Sequence, residues 1–273
     1  MNNPLGVMQG RLLPKYKGRY QAHPKNYWAD EFYLAKDIGL DCIEFILDYE
    51  DAEENPLLYE AGIKEIISTA ASSGVSVKSI CADYYMEAPL HSSNEIQVEN
   101  SLRVLNQLID NAIMIGVKDI VIPCVDQSSL KLAEDQSRFI ESISEVVFHA
   151  EKKGVNLALE TDLPPKVFIN LLENINSNNV TVNYDIGNSA SLGYDPIEEL
   201  ETYGDRISDI HIKDRKFNGG PEILGYGDAK FDIFFNKLSE FNYKGIFIMQ
   251  AYRDNNGIDI FNQQLNWFRK KYA

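Results

Sequence analysis

Short apolar runs alternate with longer amphipathic segments along the chain, and this alternation limits the folds open to it more than any other feature. The runs are rich in Val, Ile and Leu, as is typical of strands that are buried on both faces of a parallel sheet. Eight such runs occur, at residues 5–8, 42–46, 75–81, 119–123, 155–160, 180–185, 207–212 and 245–250. The sequence therefore predicts strands separated by helices, which is the pattern of an α/β fold.

The segments between the runs show helical spacing. In residues 94–115 and 131–153, apolar side chains recur at the intervals expected on the buried face of a helix. A glycine follows each of these segments, at Gly116 and Gly154, shortly before the next apolar run. Glycine commonly ends a helix because it adopts the left-handed backbone conformation without strain. These segments are therefore predicted to be helices that lead into the following strands.

The number of strand–helix units points to a particular architecture. Eight units in 273 residues match the size of a closed (β/α)8 barrel, the TIM barrel. We therefore expect one barrel domain over residues 1–273. An open, doubly wound sheet is the alternative, but it usually carries a Gly-rich phosphate loop after its first strand. Here Gln9, Gly10 and Arg11 follow the first run and do not form such a loop.

Composition narrows the classes of function. The formal net charge of −15 argues against a nucleic-acid binder, because phosphate contacts require a surplus of Lys and Arg. No run approaches the roughly 20 apolar residues of a membrane helix, and residues 1–8 lack the pattern of a signal peptide. Cys42, Cys81 and Cys124 are widely spaced beside apolar runs, which favours buried free thiols in a reducing compartment. We therefore expect a cytoplasmic protein without nucleic-acid or membrane partners.

Polar side chains stand at the ends of four consecutive runs. They are Glu160, Asp185, His211 and Gln250. The C-terminal ends of barrel strands form one face, so these groups are expected to meet there. Burying carboxylates without a partner is costly, and one divalent cation, Mn2+, Co2+, Mg2+ or Zn2+, would satisfy the whole set. Each residue alone has a plainer explanation, as a helix cap, the partner of a lysine or a core histidine.

Two motifs follow one another after the seventh run. Residues 210–214 read Ile-His-Ile-Lys-Asp, and residues 224–228 read Leu-Gly-Tyr-Gly-Asp. Shorter supporting pieces lie at residues 39–44, 157–160 and 183–188. With these motifs the whole chain resembles the xylose-isomerase-like TIM barrels. That family includes sugar and sugar-phosphate isomerases and epimerases, and the related endonuclease IV repair enzymes.

The resemblance implies a function in carbohydrate metabolism. It implies a metal ion held by Glu160, Asp185, His211 and the strand-8 residue, and a substrate that is a small sugar or sugar phosphate. Glu160 would be the base of an isomerase or epimerase that moves a proton through an enediolate. A homo-oligomer is common among such barrels. The repair branch needs several histidines at strand ends, and here only His211 ends a predicted strand.

The eighth strand is where the chain departs from the family, whose isomerases and epimerases usually have a glutamate at the position of Gln250. An amide oxygen can still ligate a metal, but an amide cannot take up or give a proton. The family's epimerases use two glutamates on opposite faces of the sugar, so two alternatives stay open. One is a metal-dependent lyase or dehydratase acting on a sugar-like or keto-acid substrate. The other is a catalytically impaired, sugar-binding barrel.

Several further residues are candidates for contacts with a substrate. They are Arg11, Glu44, Asp83, Asn188, Lys213 and Asp214. Arg11 could clamp a phosphate or carboxylate, and Glu44 could orient a hydroxyl or act as the missing second acid or base. Lys213, Asp214 and Arg215 could contact substrate oxygens. The plainer explanation for Arg11 is a surface arginine, and the plainer explanation for Asp214 is an internal salt bridge. The glycines of residues 224–228 could bring backbone N–H groups to an anion or serve only as turn glycines.

Overall fold

Eight parallel strands close into a barrel in the computed structural model, which describes residues 3–272; residues 1, 2 and 273 of the expected domain lie outside this range. The strands are β1 (Leu5–Met8), β2 (Cys42–Ile46), β3 (Ser76–Cys81), β4 (Asp119–Cys124), β5 (Asn156–Thr161), β6 (Val180–Asp185), β7 (Ile207–Ile212) and β8 (Ile246–Met249). The first strand pairs with both the second and the last, so the order around the barrel is β1-β8-β7-β6-β5-β4-β3-β2. The predicted (β/α)8 barrel is confirmed, and its closure excludes the open, doubly wound sheet.

Helices connect successive strands and cover the outside of the barrel. They are α1 (Asp30–Asp37), α2 (Glu60–Ser73), α3 (Tyr84–Glu87), α4 (Glu95–Ile115), α5 (Ala133–Lys153), α6 (Pro165–Ile175), α7 (Ile186–Leu192), α8 (Pro196–Tyr203), α9 (Phe231–Leu238) and α10 (Ile258–Tyr272). Gly74, Gly116 and Gly154 follow α2, α4 and α5 with φ angles of +78°, +79° and +70°. Glycine adopts this left-handed conformation easily, so the chain can turn from each helix into the next strand.

Apolar side chains pack on both sides of the barrel wall. A small cluster contributed by the strands lies inside the barrel: Met8, Cys42, Ile46, Cys81, Val121, Ala158, Ile246 and Ile248. A larger cluster, which includes Phe32, Phe139 and Phe234, packs between the wall and the helices. The three cysteines are buried and free, as predicted. Within residues 3–272, no helix combines the length and the apolar character that crossing a bilayer requires.

The strand register brings the predicted polar groups to one end of the barrel. Asp185 is paired with His211, and His211 is paired with Ile248 of β8, so Gln250 lies just beyond the paired residues. Glu160 is the last residue but one of β5. Side chains of a strand alternate between the inside and the outside of a barrel. This register therefore directs Glu160, Asp185 and His211 to the interior near the C-terminal ends of the strands.

Gly6 on β1 lies between β2 and β8, where the first and last strands pair and close the barrel. A Cβ atom at this position would lie 2.8 Å from the backbone oxygen of Cys42 and 2.8 Å from Cδ1 of Ile248. Neighbouring strands cannot move apart without breaking their hydrogen bonds, so we expect Gly6→Ala to lower the free energy of unfolding by about 1–3 kcal/mol. Urea unfolding followed by circular dichroism measures the change. Gly220→Ala is the control, since nothing lies within 4 Å of its Cβ position. Equal losses in the two variants would contradict the packing argument.

Candidate functional site

His211 lies between carboxylates on both sides of its ring. Its Nδ1 atom is 3.6 Å from Oε2 of Glu160 and 4.0 Å from Oδ2 of Asp185. Its Nε2 atom is 2.9 Å from Oε1 of Glu44, which belongs to β2. Ligand atoms of Glu160, Asp185 and His211 all lie within 4.8 Å of one another. All four side chains are buried, so one cation could contact three of them in a site largely shielded from water.

Two asparagines and a lysine hold the carboxylates of this site in place. Asn183 donates to Oε2 of Glu160 at 2.9 Å, and Asn188 donates to its Oε1 at 2.5 Å. The backbone N–H of Asn188 donates to Oδ1 of Asp185 at 2.8 Å, which makes Asp185 the N-cap of α7. Lys213 donates to Oδ2 of Asp185 at 3.1 Å. Both carboxylates are therefore oriented by the protein itself.

The buried charges shift the pKa values of one another. Burial, followed by the charge of Asp185, raises the pKa of Glu160 to about 7. Burial alone would lower the pKa of His211, but the surrounding carboxylates, Glu44 first among them, raise it to about 10. Burial and then the charge of Glu44 raise the pKa of Asp209, on β7, well above its usual range. Acidic groups thus outnumber basic ones here, and protons or another cation must neutralise part of the charge.

A second group of potential ligands lies behind the first and shares His211. Ligand atoms of Glu44, Asp209 and His211 also lie within 4.8 Å of one another. Ser79 donates to Oε2 of Glu44 at 2.7 Å. Glu44 and Asp209 are fully buried behind the imidazole ring. The position of Glu44 therefore supports contact with His211 rather than the predicted contact with a substrate or the role of a second acid or base.

Gln250 presents an amide oxygen that lacks a hydrogen-bond donor. Its Nε2 atom donates to Oε1 of Gln21 at 3.0 Å. Its Oε1 atom is buried and accepts no hydrogen bond within residues 3–272. A buried acceptor without a partner costs free energy until a ligand completes it. This oxygen therefore fits a cation or the hydroxyl group of a ligand.

A cavity of about 540 Å³ opens in front of these groups. The predicted site residues in its wall are Asp83, Glu160, Asn188, Lys213 and Gln250. Arg215, which was also predicted to contact substrate oxygens, lines the wall as well, whereas Arg19 and Gln21 in the wall were not among the predicted residues. Arg215 donates to Oδ1 of Asn188 at 2.8 Å and so fixes the asparagine that holds Glu160. Asp185 and His211 lie deeper, behind this wall.

Three functional residues were not predicted from the sequence, and only two of them, Asn183 and Asp209, carry a signal in the sequence pattern. Asn183 lies two positions before Asp185, so both side chains point to the same side of β6. Asp209 stands in the same relation to His211 on β7. A search for polar residues two positions before each strand-end group would find both. Gln21, by contrast, lies in the irregular connection between β1 and α1, where no periodic pattern marks it.

Arg11 does not occupy the position expected of a substrate clamp. Its side chain is buried and donates to the backbone oxygen of Tyr20 at 3.0 Å and to Oε1 of Gln21 at 2.9 Å. The guanidinium group also lies 5.0 Å from the centre of the Tyr20 ring. Arg11 therefore orients a residue of the cavity wall from behind, and its position does not support direct contact with a phosphate.

Asp214 also points away from the cavity. Its carboxylate accepts hydrogen bonds from the backbone N–H groups of Gly225, Gly227 and Ala229 at 2.9, 2.9 and 3.1 Å. A Cβ atom on Gly227 would overlap this carboxylate. The anion that meets these backbone N–H groups is therefore Asp214 itself. Its position supports an intramolecular clamp on the loop rather than the predicted contact with a substrate.

The sequence matches a known family over most of its length. The family model described as "Xylose isomerase-like TIM barrel" matches residues 32–271. The chain belongs to this family. The membership inferred from residues 210–214 and 224–228 is thereby confirmed.

Individual relatives share both sequence and fold with the chain. A protein of Haemophilus influenzae with the provisional name L-ribulose-5-phosphate 3-epimerase SgbU is 28% identical over 263 residues, which cover 89% of this chain and 91% of the relative. The apo structure of 3-keto-D-glucoside 4-epimerase YcjR from E. coli has a TM-score of 0.76 at 18% identity and covers 98% of this chain and 100% of its own. A structure of IOLI protein with a binding zinc atom has a TM-score of 0.76 at 16% identity, with 97% and 96% covered. At these identities the two structures show the shared fold. SgbU and YcjR bear the names of isomerase-class enzymes, the class predicted from the sequence.

Removing the Asp214 carboxylate tests the clamp on the loop after β7. We expect Asp214→Ala to lower the free energy of unfolding by about 2 kcal/mol, because backbone N–H groups lose a buried acceptor. Amide hydrogen exchange should speed up at Gly225, Gly227 and Ala229. Asp228→Ala is the control, since that half-exposed carboxylate accepts from Phe217 instead. Unchanged exchange at the three amides of the Asp214 variant would show that the clamp does not hold the loop.

Proposed function

We propose that the chain is a metal-dependent isomerase or epimerase that acts on a small sugar or sugar phosphate. The observation that carries this proposal is the convergence of Glu160, Asp185 and His211, whose ligand atoms lie within 4.8 Å of one another at the C-terminal end of the barrel. Two carboxylates and an imidazole suit Mn2+, Co2+, Mg2+ or Zn2+. Active sites of TIM barrels lie at this end of the strands.

The residues around the three ligands fit a bound cation. Gln250 would be the fourth ligand, because its Oε1 atom is buried and accepts no hydrogen bond within the described range. Glu44 lies 2.9 Å from Nε2 of His211. A carboxylate in this place is a common means by which proteins orient a metal-binding histidine. The Nδ1 atom, which faces Glu160 and Asp185 and lies 3.2 Å from the amide nitrogen of Asn183, would then be the ligand atom.

The names of the relatives support the class of reaction and of substrate. SgbU carries the provisional name of an epimerase of a sugar phosphate, and YcjR is named an epimerase of a keto-glucoside. The IOLI protein is described with a binding zinc atom. Since one name concerns a phosphorylated sugar and the other does not, the proposal extends to both kinds of substrate.

Glu160 would act as the base, because one of its oxygens lies toward the metal ligand His211 and the other lies at the cavity, where a substrate would bind. Oε2 lies toward His211, whereas Oε1 accepts from Asn188 at the cavity wall. When bound, the divalent ion would polarise the substrate carbonyl and stabilise negative charge on its oxygen. Glu160 would take a proton from the carbon next to that carbonyl, and the electron pair would stay on the substrate as an enediolate. Asn188 and Asn183 would keep the carboxylate in position during this transfer.

Other expectations complete the proposal. We infer that residues 1–273 act as one barrel domain, since strands from both ends of the chain, β1 and β8, pair to close the barrel. We also propose that the protein acts in the cytoplasm, where its buried free thiols would stay reduced. The predicted homo-oligomer stays a prediction.

Gln250 favours a second candidate, a metal-dependent lyase or dehydratase. Such an enzyme would remove a proton next to a carbonyl and expel hydroxide, and this step does not require a second base on the opposite face. Mass spectrometry of the product separates the two reactions, because isomerisation conserves mass and dehydration loses water. The same assay also tests the sugar-binding barrel, which would leave every substrate unchanged.

Glu160→Gln tests the proposed base. The protein is stripped with a chelator, reloaded with Mn2+ or Co2+, and incubated in D2O with ketopentoses and ketohexoses, free and phosphorylated. NMR then follows the exchange of the hydrogen next to the carbonyl. We expect the variant to lose exchange by about 10²–10⁴-fold, the usual contribution of a general base. It should also bind Mn2+ more weakly by calorimetry, because a carboxylate ligand becomes a neutral amide.

The control variant Glu141→Gln removes one exposed carboxylate on α5 and should behave like the wild type. If Glu160→Gln kept the wild-type exchange rate, Glu160 would not be the base. If the wild-type chain bound neither metal and gained no thermal stability from Mn2+ or Co2+, the sugar-binding barrel would be favoured.

A further inference from the structure

Inverting a carbon next to a carbonyl requires a proton-transfer group on each of its faces. Glu160 supplies one of them under the proposed function, on which this inference rests. Gln250 cannot supply the other, because a primary amide neither takes nor gives a proton near neutral pH. If the chain is an epimerase, another acid must therefore reach the cavity.

Most ionisable side chains of the cavity wall are paired or exposed. Asp48 forms an ion pair with Arg19 at 2.8 Å, and Lys213 donates to Asp185 at 3.1 Å. The exposed acids at the outer edge of the cavity are Glu50, Glu87 and Asp126. Asp83 differs from all of these, because it lines the cavity while half-buried and makes no ion pair within residues 3–272.

We propose that Asp83 is the second proton-transfer group, which delivers a proton to the substrate carbon on the face opposite Glu160. Asp83 follows β3 and Glu160 belongs to β5, with β4 between them in the barrel. The two carboxyl groups therefore reach one cavity from strand ends that are two positions apart around the barrel. After burial and Asp185, the charge of Asp83 also contributes to the raised pKa of Glu160, so the two groups lie within electrostatic reach.

Hydrogen bonds with a fixed direction orient Asp83. Arg11 has only donors and gives one to Oε1 of Gln21 at 2.9 Å, so the amide nitrogen of Gln21 must point the other way. That nitrogen donates to Oδ2 of Asp83 at 2.7 Å. Gln250 donates to the same oxygen of Gln21 at 3.0 Å. The other oxygen of Asp83 meets Sγ of Cys81 at 3.3 Å, a weak donor that a substrate hydrogen bond could replace.

This network connects Gln250, which has no acidic group, with Asp83, which has one. The amide of Gln250 and the carboxyl of Asp83 both bond to Gln21, through its oxygen and its nitrogen respectively. The ionisable group thus lies one side chain away from the end of β8, on the segment after β3. Burial raises the pKa of Asp83 to about 6, so part of the protein carries the acid form near neutral pH, as a proton donor requires.

The proton balance of the proposed step closes without a further reactant. The carboxylate of Glu160 takes the proton as the C–H bond breaks, and the electron pair remains in the enediolate. The carboxylic acid of Asp83 then gives its proton to the other face of the same carbon, which forms the new C–H bond. Glu160 ends protonated and Asp83 ends as a carboxylate. Exchange with water restores both groups before the next turnover.

Asp83→Asn separates the two halves of this reaction. The variant keeps an oxygen that can accept from Gln21, so the orientation of the network is preserved. In D2O with Mn2+ or Co2+ and the same ketoses, beginning with L-ribulose 5-phosphate, we expect hydrogen exchange within about tenfold of the wild-type rate. Epimerisation, measured by chromatography of the products, should fall by about 10²–10⁴-fold, the usual contribution of a general acid. Asp83→Glu, which restores an acid, should recover part of the epimerisation.

Glu141→Gln is the control, since it removes one exposed carboxylate on α5, outside the cavity wall. Epimerisation at the wild-type rate in Asp83→Asn would overturn the role of Asp83, as would equal losses of exchange and epimerisation with metal binding intact. If Asp83→Asn did not fold, Asp83→Ser would be measured in the same way. A wild-type chain that exchanges hydrogen without epimerising would also overturn this role. A wild-type chain that does neither would overturn the proposed function as well.

Discussion

The main physical constraint on this molecule is a fully buried imidazole with carboxyl groups on both sides of its ring. Glu44 approaches His211 from β2, Glu160 from β5 and Asp185 from β6, so the cluster exists only if the sheet closes. The register of each strand is equally important. A slip of one residue in β7 would turn His211 from the barrel interior into the layer beneath the helices. The barrel and its polar centre therefore depend on each other.

The electrostatics of the cluster follow from this geometry. Glu160 and Asp185 face the Nδ1 side of the ring, whereas Glu44 faces the Nε2 side and Asp209 lies near it. Amide, lysine and backbone N–H donors satisfy several oxygens of the first pair, but donors of this kind cannot cancel all the negative charge. Raised pKa values of Glu160 and Asp209 show that protons can do so. A divalent cation and protons are alternative ways to neutralise the excess negative charge of the cluster. In the proposed enzyme the cation would do so.

The parts of the fold that the sequence predicts are those that depend on local pattern. Buried strands have to be apolar and helices have to bury one face, so the apolar runs mark all eight strands, with ends at most one residue from those observed. The polar residues at strand ends follow from the same pattern.

The contacts of Arg11 and Asp214 do not follow from this pattern, because their hydrogen-bond partners lie elsewhere along the chain. Arg11 bonds to residues nine and ten positions later, and Asp214 bonds to N–H groups eleven to fifteen positions later. Such contacts depend on how loops fold back over the barrel, which spacing in the sequence does not encode.

The glutamine at the end of β8 fits its neighbours better than a glutamate would. A carboxylate at position 250 would place an acceptor near Oε1 of Gln21, which now lies 3.0 Å from the amide nitrogen of Gln250. Gln21 cannot reverse its amide in response, since Arg11 donates to its oxygen and Asp83 accepts from its nitrogen. With Gln250 in place, the same bonds turn its own oxygen away from Gln21, and that oxygen is the one left without a donor. Gln250 is therefore one of four residues that determine one another's orientation, and Asp83 is the member of that set with a carboxyl group that can move a proton.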